Sequence, residues 1–383
     1  DRTYRQAKRR TWLEQKLDGL RLVRLGRSWW AKPAQAAEPG DSRAANFRTR
    51  LDEVNGYASY RRDPVWREQV LGQFRASLRE IVRLCKAADV PLVLVRLGAN
   101  LRDCPPFKSE HRAGLSPEAE QAWQEHFERG SKLEGSSPAA ALRLYEAAAA
   151  IDGEFALLNY RIAKVRDRLG KTDELTGHFQ RAKDSDVCPL RMLEAQHRFL
   201  DDLAGRSEAI LVDARRVLAE ASPDGVPGFD WYLDHVHPTI GGHQKIARAI
   251  LERMRAAGLV PGSAGTQVVA SKIRENHFAS LGPRYLKDGA RRLRWLDGWS
   301  RRAKLESELA PRDGADYVRL GFRRLDFGAT EEASEAIGKA LKLDPVGSRE
   351  RLERHVDELQ EQGRGPAAAW LRERLAAELS GKP

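Results

Sequence analysis

The sequence contains little cysteine and has no long hydrophobic run. Its three cysteines among 383 residues show no Cys-x-x-Cys spacing, which argues against a disulfide framework and a cysteine zinc site. No stretch of about 18 uncharged apolar residues occurs, so no transmembrane segment is expected. Residues 1–10 are charged and lack an apolar core, so they do not resemble a signal peptide. A mature, a processed and a truncated start all stay open, and so does the compartment.

The composition is that of a soluble globular protein, with 41% hydrophobic and 32% charged residues and a net charge of +11. The basic residues concentrate in 2–27 and 284–304, where apolar residues recur at helical spacing. The plain interpretation is a solvated basic face on a packed helix. A basic module that binds acidic lipid or nucleic acid is an alternative, through Arg291, Arg292 and Arg294. No zinc finger, helix-turn-helix or RNP sequence occurs, so no nucleic-acid partner is expected.

Two short apolar runs indicate strands between amphipathic helices. Residues 64–89 predict a helix that leads into the run 90–95, and a second run occupies 209–213. Continuous β-branched runs are typical of strands buried on both faces of a parallel sheet. The fold class is therefore predicted to be α/β. Only two strands stand out, which is few for such a sheet and suggests that part of it is missing.

Helix-rich segments with a repeat pattern lie between and after these strands. Residues 140–148 are alanine-rich, and a second helix is predicted to begin at Phe155. Small residues recur where paired helices must approach closely, which resembles the tetratricopeptide (TPR) pattern. A clearer copy spans 320–345 and ends in Leu-Lys-Leu-Asp-Pro. Two further helices are predicted over 349–379.

The sharpest local signal is the segment 231–243, in which Asp234 and His237 stand three residues apart just before a helix. A tight turn with this spacing can fold the carboxylate back onto the imidazole. The carboxylate would fix the tautomer and leave the other ring nitrogen as a general base. His243, at the helix start, is expected to pack or cap the turn. Metal binding by the three histidines of this segment is an alternative, although no second ligand cluster is apparent.

Asp-x-x-His-Pro followed by Gly-x-x-x-Ile-Ala resembles the final sequence block of SGNH/GDSL hydrolases. The resemblance implies a flavodoxin-like three-layer fold and ester hydrolysis by a Ser-His-Asp triad. Asp234 would be the orienting acid and His237 the base, with no metal or organic cofactor. Residues 100–111 and 182–191 also resemble bacterial GDSL-type proteins with inserted TPRs. The likeness covers most of residues 1–255.

The nucleophile of the family does not match this chain well. Gly40-Asp41-Ser42 matches the Gly-Asp-Ser motif that holds the nucleophile in the family. The residues before it do not form a buried strand, so this tripeptide is interpreted as a loop. Asn100 follows a strand that is one too late for the oxyanion asparagine. The chain is therefore expected to begin just after the block that holds the serine and the oxyanion groups.

The expected organisation is a combined one. Residues 1–125 and 188–260 form the carboxyl-terminal part of the flavodoxin-like hydrolase fold, 126–187 form inserted TPR-like hairpins, and 266–383 form a second helical TPR-like region. The expected function is serine ester hydrolysis, acting on an ester-containing small molecule or an acylated glycan. A protein partner could bind the repeats. The alternative is a non-catalytic TPR scaffold whose α/β portion is a relic.

Overall fold

The computed structural model describes residues 59–261, scattered positions between 272 and 298, and residues 310–379. From Arg61 onward these residues belong to one compact unit. The basic stretch 2–27, the tripeptide Gly40-Asp41-Ser42 and much of 284–304 lie outside the described residues, so the predictions made for them stay predictions.

Helices dominate the described residues, and two short strands lie among them. In chain order the elements are α1 (Pro64–Ala87), β1 (Val93–Val95), α2 (Pro117–Leu133), α3 (Pro138–Ile151), α4 (Ala156–Arg168), α5 (Leu175–Asp184), α6 (Glu194–Gly205), β2 (Ile210–Val212), α7 (Ala214–Glu220), α8 (Ile240–Ala256), α9 (Gly314–Asp326), α10 (Thr330–Leu343), α11 (Pro345–Glu361) and α12 (Gly365–Leu379). None of the described helices is both long enough and apolar enough to cross a lipid bilayer.

The two predicted strands pair with each other in parallel. Val93 aligns with Ile210 and Val95 with Val212, in a sheet that has two strands among the described residues. Leu94 packs in a cluster with side chains of α1 and α6, whereas Val95 joins a cluster of α7 and α8 side chains on the other face. Two neighbouring parallel strands need a long crossover connection. Here the inserted helices and α6 supply it.

The prediction that both strands are buried on both faces is wrong in part. Only the central residue of β1, Leu94, and the last residue of β2, Val212, are buried, and their strand neighbours are half-buried. The strands are three residues long, and β1 has one strand neighbour among the described residues. Side chains near a strand end or an uncovered edge keep contact with solvent.

Antiparallel helix pairs occur where the repeat pattern predicts them. α2 packs on α3 and α4 on α5, and α9–α10 and α11–α12 form two later pairs. A Cβ on Gly130 of α2 would lie 2.8 Å from the Tyr145 ring, and one on Gly321 of α9 would lie 3.0 Å from Ile337. The close approach predicted within 320–345 is therefore confirmed at Gly321, as are the two helices over 349–379.

Candidate functional site

The Asp234–His237 turn lies beside the carboxyl end of β1. The chain leaves β1 at Val95 and reaches Asn100, whose backbone N–H donates to the carbonyl oxygen of His235 at 3.1 Å. The carboxyl edge of a parallel sheet is where ligands of open α/β folds bind. The turn thus lies at the sheet edge where a ligand site is expected.

Backbone hydrogen bonds explain why this segment folds as a turn. The N–H of Leu233 donates to the carbonyl oxygen of His237 at 2.8 Å, and the N–H of Thr239 donates to that of Trp231 at 2.9 Å. The Thr239 hydroxyl oxygen accepts from the N–H of Gly242 at 3.1 Å and so caps α8. A Cβ on Gly242 would lie 2.8 Å from the Trp231 carbonyl oxygen, so a glycine is required there.

The carboxylate of Asp234 is fully engaged by the turn it belongs to. Its Oδ2 accepts from Nδ1 of His237 at 2.7 Å. Its Oδ1 accepts from the backbone N–H groups of Val236 and His237, both at 2.8 Å. Asp234 is 7% exposed, whereas the His237 side chain is 51% exposed. Within the described residues no hydrogen bond reaches Nε2 of His237, and about half of the side chain is in contact with solvent.

These contacts move the two pKa values in opposite directions. Burial alone would raise the pKa of Asp234, but the hydrogen bond from His237, the charge that His235 acquires at acid pH and the two backbone N–H groups together lower it to about 2. The hydrogen bond to Asp234 raises the pKa of His237, against a smaller opposing effect of burial. Near neutral pH the carboxylate is therefore ionised and holds the proton of Nδ1.

The other two histidines of the motif have different surroundings. His235 is largely buried, its ring meets that of Phe107 edge-on at 5.2 Å, and burial lowers its pKa to about 4. The imidazole of His235 is therefore neutral and serves as packing beside the turn. His243 is exposed in the first turn of α8. The cap predicted for His243 belongs instead to Thr239, whose hydroxyl is better placed because it directly precedes the helix.

Asn100 holds the turn from the side of the sheet, and both ends of its side-chain amide bind backbone groups. It is fully buried, and its Nδ2 donates to the carbonyl oxygen of Asp234 at 3.1 Å. Its Oδ1 accepts from the N–H of Asp103 at 2.9 Å, and Arg191 donates to its carbonyl oxygen at 3.0 Å. The segments 100–111 and 182–191 are thus in direct contact. Sequence reasoning assigned no role to Asn100, because an asparagine gives no signal of its partners.

The C-terminal helices also reach the turn, which the sequence did not indicate. Nε of Arg323 in α9 donates to the carbonyl oxygen of Leu233 at 2.7 Å. One helical turn earlier, Nε of Arg319 lies 3.0 Å and 2.9 Å from the two carboxylate oxygens of Asp103. Nε2 of Gln244 in α8 donates to the carbonyl oxygen of Gln362, directly after α11, at 3.1 Å. Nothing in the periodicity of α9 distinguishes these arginines from solvated ones.

Among the described residues the pair belongs neither to a metal-binding cluster nor to a deep pocket. Within the described residues no group of three or more His, Cys, Asp and Glu side chains is arranged to hold a metal ion. A cleft of about 660 Å³ lies between the loop around 220–231 and helices α9 and α11, and neither Asp234 nor His237 lines it. The pair instead opens to the surface through Nε2.

An ionised carboxylate on Nδ1 and an exposed Nε2 are the two requirements of a general base that takes a proton from a hydroxyl or water. Among the described residues no nucleophilic side chain is in contact with Nε2 of His237. In comparisons with known proteins, no family model matches the chain and no curated protein matches it.

Proposed function

We propose that this chain supplies the acid–base pair of a serine ester hydrolase of the SGNH/GDSL type. The observation that carries the proposal is the 2.7 Å hydrogen bond between Asp234 Oδ2 and His237 Nδ1, in a turn that leaves Nε2 exposed. The catalytic roles are Asp234 as the orienting acid and His237 as the base. No metal or organic cofactor takes part in this chemistry.

In the proposed reaction His237 Nε2 accepts the proton of a serine hydroxyl while the serine oxygen attacks the ester carbonyl carbon. The imidazolium, stabilised by Asp234, then gives that proton to the leaving alkoxide. A water molecule attacks the acyl-enzyme in the same way, and His237 returns a proton to the serine. The tetrahedral oxyanion is held by donors that lie, in this proposal, N-terminal to the described residues.

The local architecture supports the finer fold assignment, a flavodoxin-like three-layer arrangement of which this chain holds the carboxyl-terminal part. Two adjacent parallel strands have helices on both faces, and the pair lies at their carboxyl edge. Along α1 several apolar side chains are exposed among the described residues, including Val70, Ile81 and Leu84. A sheet that continues past β1 would cover such side chains.

The helix pairs support a role in binding. α2–α3 and α9–α10 cross closely at a glycine, and α4–α5 buries Ala163 and Ala182 in one cluster, so we assign these pairs to TPR-like repeats that contact a protein partner. The substrate class is an ester-containing small molecule or an acylated glycan. The serine is supplied upstream of the described residues.

The test is the rate of hydrolysis of p-nitrophenyl acetate by the complete native polypeptide that contains this chain. His237→Gln should reduce kcat/KM by at least about a thousandfold, because the base is removed. The matched control is His243→Gln, an exposed histidine six residues later, which should retain the activity. The wild-type profile should also rise with pH, with a midpoint above 6.5, because Asp234 raises the pKa of His237.

A polypeptide whose hydrolysis is equal in the wild type and in His237→Gln contradicts the proposal. In that case the α/β portion is a scaffold for the helical repeats and not an enzyme.

A further inference from the structure

The turn that carries the pair is held from two sides, and the second side belongs to the C-terminal helices. Asn100, after β1, binds the carbonyl oxygens of Asp234 and His235 through its side-chain and backbone nitrogens. Arg323, about 90 residues downstream in sequence, binds the carbonyl oxygen of Leu233 at 2.7 Å. The peptide group between Leu233 and Asp234 is therefore fixed by a residue of the helical region, directly next to the acid.

Arg323 is itself held firmly. It is 3% exposed, and its guanidinium lies 4.5 Å from the centre of the Phe229 ring and 5.1 Å from that of Phe327. A buried planar cation in contact with two aromatic rings has few orientations, which keeps its Nε–H directed at the Leu233 carbonyl oxygen. Truncating such a side chain would leave the Leu233 carbonyl without this donor.

A second arginine on the same face of α9 fixes the segment just before the turn. Residues four apart lie on one face of a helix, so Arg319 and Arg323 point the same way. Arg319 pairs with Asp103, and Oδ2 of Asp103 accepts from the N–H of Phe229 at 2.9 Å. Helix α9 is thus linked to residue 229 through Asp103 and to residue 233 through Arg323. Both residues come just before Asp234 in the chain.

Leu233 connects the contact made by Arg323 to the position of His237. The N–H of Leu233 donates to the carbonyl oxygen of His237 at 2.8 Å, so the peptide groups on both sides of Leu233 take part in the closure of the turn. The 2.7 Å distance from Asp234 to His237 depends on that closure. We propose that Arg323 is a positioning residue for the Asp234–His237 pair, and that α9 is an integral part of the hydrolase site. Its effect on turnover rests on the proposed function, whereas its effect on the pair does not.

The experiment uses the complete chain with ¹⁵N-labelled histidine and measures the pKa of His237 by NMR. Arg323→Gln removes the charge and the Nε–H group that binds Leu233. It should lower the pKa of His237 toward the ordinary value, because the hydrogen bond that His237 Nδ1 donates to Asp234 weakens when the turn loosens. Arg323→Lys, which keeps a cationic donor between the rings, should restore most of the elevation. Arg324→Gln, on the next position of the same helix, is the control and should leave the pKa unchanged.

Hydrolysis of p-nitrophenyl acetate by the native polypeptide is measured in parallel. Arg323→Gln should lower kcat by about a hundredfold with little change in KM, which is the effect of a small misplacement of a catalytic group. Should the wild type be inactive while Arg323→Gln still lowers the pKa of His237, the positioning role stands and the proposed function fails. An unchanged pKa of His237 in folded Arg323→Gln overturns the positioning role, whatever the activity.

A wild-type measurement keeps the proposal testable if Arg323→Gln does not fold. The Nε–H resonance of Arg323 should titrate with the same midpoint as His237, because the two are linked through one residue. Independence of this resonance from the titration of His237 would likewise overturn the proposal.

Discussion

Replacing Asp234 by asparagine separates the charge of the acid from its shape. Asparagine keeps an oxygen that can accept from the N–H groups of Val236 and His237, so the turn can still form. What is lost is the ionised oxygen that accepts from Nδ1 of His237. In its place stands an NH₂ group, which can only donate. His237 must then carry its proton on Nε2, and this tautomer cannot act as a base.

The magnitude follows from the pKa of the acid. The pKa of Asp234 is about 2 in the folded protein, against an ordinary value of 3.8. At about 1.4 kcal/mol for each pKa unit, the ionised form contributes about 2 kcal/mol to folding at neutral pH. Because the folded pKa is the lower one, this contribution is present above pH 3.8 and is lost as the pH falls through about 2. At pH 3 about half of it should remain.

The assay is urea unfolding of wild type and Asp234→Asn between pH 3 and 7, with ¹⁵N NMR of His237 at neutral pH. The free energy of unfolding should differ by about 2 kcal/mol at pH 7, and the difference should shrink on acidification. The NMR spectrum should show the Nε2–H tautomer in the variant and Nδ1–H in the wild type. Asp202→Asn, an exposed acid that pairs with Arg206, is the control and should change stability little. A difference independent of pH, or an unchanged tautomer, would refute the reasoning.

The remaining predictions concern residues that build the turn and one glycine of α1. Gly242→Ala should destabilise the fold by about 1–3 kcal/mol in urea unfolding, because the new Cβ meets the Trp231 carbonyl oxygen at 2.8 Å. Gly72→Ala, in the middle of α1 with open space around it, should instead stabilise by about 1 kcal/mol, and a loss there would count against the helix. Asn100→Ala should cost about 3 kcal/mol and broaden the His237 resonances, since it leaves two buried backbone groups unpaired; wild-type stability in this variant would exclude the proposed support. The pKa of His235 is about 4, below the ordinary 6.5, so its contribution is present above pH 6.5 and is lost between pH 6.5 and 4. His235→Leu should remove about 3 kcal/mol of this acid sensitivity, and an unchanged pH dependence of unfolding would show that His235 is not buried in the neutral form.

The sequence predicts the elements well where a strong local pattern exists. The helix expected over 64–89 is observed as Pro64–Ala87, and Asp63 begins it by accepting from the N–H of Trp66 at 2.8 Å. Apolar residues at three-to-four spacing set the helical face, and an acidic N-cap followed by proline marks its start. The observed strands are shorter than the apolar runs of the sequence. Pairing with a neighbouring strand decides where a strand stops, and the apolar run alone does not.

The close pairing of Asp234 and His237 was predictable because the contact is local. Three residues of spacing, a following helix and two glycines are enough to fold the carboxylate onto the imidazole. The supports from Asn100 and Arg323 were not predictable, since they join positions separated by about 90 residues or more in sequence. Such contacts depend on how helices and strands pack, and a single sequence carries no signal for them.

The C-terminal helices illustrate the same limit. The pattern around 320–345 predicts a helix pair, and α9–α10 is that pair. That Arg319 and Arg323 point from this pair into the α/β portion follows from its docking, which is set by Asp103, Phe229 and Leu233. Buried arginines look the same in the sequence as exposed ones, because both are tolerated in helices.

The most direct test of the account is fluorophosphonate labelling of the complete native polypeptide, followed by mapping of the labelled serine by mass spectrometry. The account predicts one labelled serine, N-terminal to residue 59, whose labelling is lost in His237→Gln and kept in His243→Gln. Absence of labelling in the wild type, or a label that persists in His237→Gln, would contradict the assignment of Asp234 and His237 as the acid–base pair of a serine hydrolase.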